Sequence, residues 1–170
     1  LLKPDLVPYA MSRIESWRNP WIDAKGDGHQ IIQSLYAIGS GGLTGLGIGN
    51  SRQKHLYVPE PQNDFIFSIV CEELGFVGAL LVIFLFVALL VRGIYIACRA
   101  KDKFGSMLVV GIMVQVTLQA VLNIGVVTKT IPNTGISLPF FSYGGTSLLM
   151  LLGEMGIVLS VARQSSIDRS

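Results

Sequence analysis

The stretch SRQKHLYVPEPQNDFIFSIVCEELG, residues 51–75, gathers Arg52, Lys54, Glu60, Asp64, Glu72 and Glu73 where the chain turns from polar to apolar. Carboxylates and cations crowded at such a boundary can move protons and bind anions. If Asp64 heads a helix, then at about 100° per residue Ser68, Cys71, Gly75 and Gly78 fall within about 40° of it on one face. Small residues mark the face on which a membrane helix packs against others. Asp64 therefore heads the stripe turned toward protein rather than lipid, with Glu73 on the opposite side. Two roles are open to it: a cap for the free N–H groups of the first turn, or a reactive carboxylate. A helix N-terminus lowers the pKa of a carboxylate and apolar surroundings raise it, and both act at this position.

Polar groups recur further along. Gln115, Gln119 and Asn123 stand four residues apart and align three carboxamides on one side of a second apolar stretch. Interhelical hydrogen bonding, at ~1 kcal/mol per contact, is one use for them, and lining a substrate cavity is the other. Glu154 lies inside a third apolar stretch. A carboxylate there is costly unless paired or facing water, so Glu154 is a candidate for function or for an ion pair with a helix outside this sequence. His55 has no second ligand at metal-binding spacing and reads as a solvated loop residue. Neither a Ser/His/Asp set nor a zinc site can be assembled. GSGGLTGLGIGN, residues 39–50, has the glycines of a phosphate loop but neither the G-x-G-x-x-G register nor a Lys-Ser/Thr pair. It reads as a tight loop whose backbone comes close to a partner.

The elements that must position these groups are membrane helices. With 51% apolar and only 14% charged residues, the chain is too apolar for an ordinary soluble domain. Three stretches are long enough to cross a bilayer: 65–98, 104–128 and 141–163. The short connection 99–103, with Arg92 and Arg99 at its entrance, Lys101 and Lys103 within it and Asp102 as its one acid, marks the cytoplasmic side. The loop 129–140 and residues 11–64 then lie outside, and 164–170 form a cytoplasmic tail. Residues 1–10 read as the end of a preceding transmembrane helix, and HQIIQSLYAIGSGG as a helix in or near the interface. The net charge of +2 is scattered and implies no nucleic-acid partner. Cys71 and Cys98 sit on what reads as one continuous helix, roughly 40 Å apart, and cannot pair. With no initiator Met and no signal peptide, the sequence reads as a piece of something longer. The fold class expected is all-α, a polytopic membrane helix bundle with a large extracytoplasmic loop.

GGLTGLGIGNSRQKHLYVPEPQNDFIFSIVCEELGFVGA, followed by QAVLNIGVVTKTIPNTGISLPFFSYGGTSLL, resembles the SEDS proteins of shape, elongation, division and sporulation. NSRQK-x-x-Y-x-PEPQNDFIF resembles their FtsW/SpoVE branch more than the RodA branch. The likeness covers nearly the whole chain. It implies a bundle of ten helices, of which this sequence matches the end of the seventh, the large extracytoplasmic loop and helices eight to ten. In the family the acid of the motif ending DFIF is implicated in catalysis, and it maps onto Asp64. Gln62 and Asn63 stand where the family commonly has His-Thr, and His55 where it has a bulky apolar residue.

The resemblance implies a peptidoglycan glycosyltransferase that polymerises lipid II at the outer face of the bacterial cytoplasmic membrane, in cell division or sporulation. Asp64 would act as general base on the acceptor 4-hydroxyl. Arg52 and Lys54 would face the leaving pyrophosphate, with Glu60, Gln119 and Asn123 as further candidate substrate contacts. No cofactor is required, although a divalent cation would suit the pyrophosphate. The partners implied are lipid II and the growing glycan strand, a class B penicillin-binding protein, and other divisome or sporulation membrane proteins. Two rival readings are a lipid II flippase and a non-catalytic scaffold for a transpeptidase.

Overall fold

The computed structural model describes residues 6–21, 27–49 and 64–167. Its elements are α1 (Leu6–Arg18), α2 (Asp27–Gly41), α3 (Ile66–Cys98), α4 (Lys103–Val127) and α5 (Gly145–Ile167). Among the described residues there is no strand. Three helices, α3, α4 and α5, are long and apolar enough to cross a membrane. The first two lie where the apolar stretches place them. The third begins at Gly145 rather than at residue 141, because 139–142 form a turn. Phe140 takes a φ of 67° there, outside the helical region, and the Leu138 N–H donates to Ser142 Oγ at 2.9 Å.

The expectation of one continuous helix over 65–98 is corrected by the structure. Gly75, at φ 68° and ψ −166°, breaks α3 in a backbone region that only glycine occupies readily. A break leaves N–H and C=O groups without helical partners, and buried groups of that kind must be paired elsewhere. The glycine-rich loop supplies the pairing. The N–H groups of Leu46 and Gly47 donate to the carbonyls of Glu72 and Glu73, each at 3.0 Å. In return Phe76 and Val77 donate to the carbonyls of Gly42 at 3.0 Å and Leu43 at 3.3 Å. A Cβ on Gly45 would run into the Glu73 carbonyl, and one on Gly75 into the backbone of Gly45 and Leu43. The loop thus makes the close backbone approach that its glycines imply.

The helices pack in two apolar clusters. One joins Phe65, just before α3, and Phe67, Cys71, Ala79 and Val82 of α3 to Ala120, Val126 and Val127 of α4 and to Leu138. The other joins Ala97 of α3, Val109, Ile112, Met113 and Val116 of α4, and Leu151 and Val158 of α5. Gly93 lets α3 and α4 close up, since a Cβ there would strike the Met113 side chain. Ser68, Cys71, Gly75 and Gly78 are all buried, but the break at Gly75 ends the helical register, so the spacing places only Ser68 and Cys71 on one packing face. The outer faces are apolar and open, with Phe84 68% and Leu149 72% exposed, as suits lipid or further helices.

Candidate active site

Asp64 stands one residue before the N-cap position of α3, which Phe65 occupies. Its backbone is fixed from α4. Asn123 is fully buried, and its Nδ2 donates to the carbonyl oxygens of Asp64 at 2.7 Å and Ile136 at 2.8 Å. One carboxamide therefore ties the start of α3 to the segment that follows α4. That segment opens with Lys129 at φ 59°, a left-handed residue that ends α4 while its N–H donates to Val126 O at 2.9 Å.

Helix α1 closes over the same segment. Arg13 Nη1 donates to Asn133 O and Trp17 Nε1 to Lys129 O, both at 3.0 Å. Gly135, at φ 68°, lies close to both charged groups. A Cβ placed on it would sit 3.8 Å from Asp64 Oδ2 and 4.0 Å from Arg13 Nη1. A guanidinium and a carboxylate thus both approach one glycine. Beside Asp64 is a cavity of ≈ 300 Å³ whose lining includes Asp64, Gln30 of α2 and the hydroxyl-bearing residues Ser137, Ser142, Tyr143 and Ser147. One acid, one amide and four hydroxyls suit a neutral polyhydroxylated ligand, with Arg13 close by to meet an anionic group.

A second cavity of ≈ 120 Å³ shares Ser137, Ser142 and Ser147 with the first and runs down between α4 and α5 to Gln115, Gln119 and Glu154. Glu154 has one partner inside this chain, while its Oε2 is buried without a hydrogen-bond partner among the described residues. Gln115 Nε2 donates to Glu154 Oε1 at 3.1 Å, the interhelical hydrogen bond that the carboxamide spacing allows. Gln119 lines this cavity and not the one that holds Asp64. Asn123 lines neither. Both its amide hydrogens point to backbone carbonyls, which makes it a clamp on Asp64. Arg52, Lys54, His55 and Glu60 lie outside the described residues. Arg13, Gln30, Ser137, Tyr143 and Ser147 are residues that inspection of the sequence did not single out. The motif TGISLPFFSYGGTSLL contains all three of the latter, and Gly135 within it signals the left-handed turn.

Asn123→Ala removes both clamps and leaves two carbonyls short of a donor. The expected result is a loss of stability of about 1–3 kcal/mol. It would be read as a lower thermal unfolding midpoint of the purified full-length protein.

Fold and cavity together define a polytopic helical membrane protein with an acid-bearing polar cavity at one end of its spans. The family model FTSW_RODA_SPOVE, described as "Cell cycle protein", matches residues 5–167. The chain belongs to that family. It is 57% identical over 159 residues to the "Stage V sporulation protein E" of Bacillus subtilis (strain 168), covering 94% of this chain and 43% of that protein. It is 47% identical over 152 residues to the "Probable peptidoglycan glycosyltransferase FtsW" of the same organism, covering 89% and 38%. This chain therefore spans about two fifths of the length of these relatives. Among solved structures it is similar to one described as "Structural coordination of polymerization and crosslinking by a peptidoglycan synthase complex", at 34% identity and TM-score 0.71 over 95% of this chain and 44% of that one. It is also similar to an aspartate-to-alanine variant of the rod shape determining protein RodA of Thermus thermophilus, at 36% identity and TM-score 0.60, covering 78% and 40%.

Proposed function

We propose that this chain is the catalytic C-terminal part of a peptidoglycan glycosyltransferase that extends glycan strands from lipid II. The observation that carries the proposal is Asp64 in a cavity lined by hydroxyl-bearing residues, with Arg13 and the Asp64 carboxylate both close to Gly135. The relatives named as peptidoglycan glycosyltransferases support it. Asp64 accepts the proton of the acceptor 4-hydroxyl as that oxygen attacks the anomeric carbon of the donor. The bond from that carbon to the polyprenyl pyrophosphate breaks, and the pyrophosphate leaves with the electron pair. Gln30 and the four hydroxyls orient the sugars, and Asn123 holds the Asp64 backbone so that the carboxylate keeps its direction. Arg13, together with Arg52 and Lys54, offsets the charge on the leaving group. Glu60 and Gln119 are further contacts along the substrate path. Chain elongation by the purified full-length protein supplied with lipid II tests the proposal, with glycan strands as the expected product and unaltered lipid II as the result that rejects it.

The flippase reading draws on the second cavity, where Gln115, Gln119 and Glu154 place polar groups within the spans. Elongation separates the two readings, because a flippase yields no strands. The partner proposed is a transpeptidase of the class B penicillin-binding type, in line with the peptidoglycan synthase complex that this chain resembles.

The cavity faces the outside in this proposal, since the basic connection 99–103 marks the cytoplasmic side. Thr134 and Lys101 are both exposed, at opposite ends of α4. Cysteine at Thr134 in the full-length protein should react with an impermeant thiol reagent added to intact cells, and cysteine at Lys101 should react only after lysis. The reverse pattern would turn the cavity to the cytoplasm.

A further inference from the structure

Along α3, Leu81, Leu85, Ala88, Arg92, Tyr95 and Arg99 follow one another at steps of three and four residues, which puts them on one side of the helix. All six are exposed. They lie on the side away from Gly93 and Ala97, which are buried toward α4. At the lower end of this lane two guanidinium groups converge on one ring, with Arg99 Cζ 4.0 Å and Arg92 Cζ 5.3 Å from the centre of Tyr95. Neither arginine has an acidic partner among the described residues. The tyrosine face offsets part of their repulsion. Like charges gathered beside a low-dielectric phase still favour an anion placed between them.

The apolar part of the lane has a matching length. From Leu81 to Arg92 the helix rises about 16 Å, close to the ~15 Å of hydrocarbon in one leaflet. Leu81 and Leu85 are 56% and 54% exposed and, with the exposed Ala88, supply the apolar side chains of the lane. We propose that this lane is a binding site for an anionic phospholipid, with the phosphate held between Arg92 and Arg99 above Tyr95 and one acyl chain laid along Leu81, Leu85 and Ala88. A zwitterionic headgroup carries its own cation and gains less from two guanidiniums. A soluble phosphate has no chain to bury. Lys101 and Lys103 add attraction toward an anionic surface without selecting a position on it. The site lies at the opposite end of α3 from Asp64 and does not depend on the polymerase reading.

The test is lipid retention by the purified full-length protein, measured by native mass spectrometry after incubation with equal amounts of phosphatidylglycerol and phosphatidylcholine. Phosphatidylglycerol should be retained preferentially, and the Arg92→Gln/Arg99→Gln double variant should lose about 10- to 30-fold of that preference, the yield of two basic side chains at a membrane surface. Tyr95→Leu, which keeps the apolar bulk but removes the ring that gathers the guanidiniums, should show a smaller loss. Arg163→Gln on α5 should show none. An unchanged thermal unfolding midpoint would exclude misfolding of the double variant. Equal retention of the two lipids, or retention unaffected by the double variant, would overturn the proposal. Displacement of phosphatidylglycerol by millimolar inorganic phosphate would make this a plain anion site. Cross-linking of a cysteine at Leu85 to a protein helix in native membranes would show that protein, not lipid, covers the lane.

Discussion

Asp64→Asn in the full-length protein is expected to lower lipid II polymerisation by about 10²–10⁴-fold, the usual yield of a positioned general base. The substitution keeps the size of the side chain and removes its basicity. The clamp on residue 64 is not touched, because Asn123 bonds to the backbone carbonyl and not to the side chain. Insertion and thermal unfolding should therefore stay close to the parent. A fall in activity without a fall in stability separates a reactive carboxylate from a structural one. Arg13 stands near enough to sense the loss of charge beside Gly135, so the affinity for an anionic donor should not decrease. Elongation assays on parent and variant, together with unfolding curves, read both quantities. A variant that polymerises at the parental rate would move the base elsewhere.

The second large effect is expected at the break in α3. Gly75→Ala places a Cβ where φ is 68° and ψ −166°, a conformation that costs a non-glycine residue about 1–3 kcal/mol before any contact is counted. That Cβ also meets backbone atoms of Leu43 and Gly45, which cannot rotate away as a side-chain end could. The loop must move off α3, and four backbone hydrogen bonds between the two are then lost. The full-length variant should be destabilised by more than about 3 kcal/mol, and should unfold well below the parent or fail to accumulate. Gly39→Ala gives the opposite sign. Gly39 is an exposed residue of α2 with nothing within 4 Å of an added Cβ, and alanine there should be neutral or stabilising by up to about 1 kcal/mol. Unfolding midpoints of the two variants beside the parent check both expectations. Equal stability of the two would mean that the loop is not docked on the break.

Much of the fold was legible because hydrophobic run length nearly determines a membrane helix. The spans at 65–98 and 104–128 follow from it directly. The burial of Ser68 and Cys71 was legible for a similar reason, since small residues at helical spacing have few uses other than close packing. The break at Gly75 was not. A glycine inside a long apolar run is compatible with an unbroken helix, and what breaks this one is a loop some 30 residues earlier in the chain. The surroundings of Asp64 were hidden for the same kind of reason. Arg13 belongs to α1, Gln30 to α2 and Ser137 to the turn after α4, and no local spacing brings them together. Asn123 shows how position decides role. Its place in the row with Gln115 and Gln119 made it a candidate to face substrate, yet Gln115 bonds to a carboxylate on α5 while Asn123 holds two carbonyls at the end of α4.

Residues 76–98, on the far side of the break, are by themselves long enough to cross a hydrocarbon core of ordinary thickness. The short segment between Ile66 and Leu74 is therefore not needed to span. Hydrophobic matching acts on the long segment, which answers a thicker or thinner bilayer by changing its tilt. The height of Asp64 above the bilayer is set by the docking of the loop at 42–47 on both sides of the break and by the Asn123 clamp from α4, itself a membrane span. Because Phe76 and Val77 of the long segment bond to that same loop, a change in tilt is passed through the loop to the carboxylate.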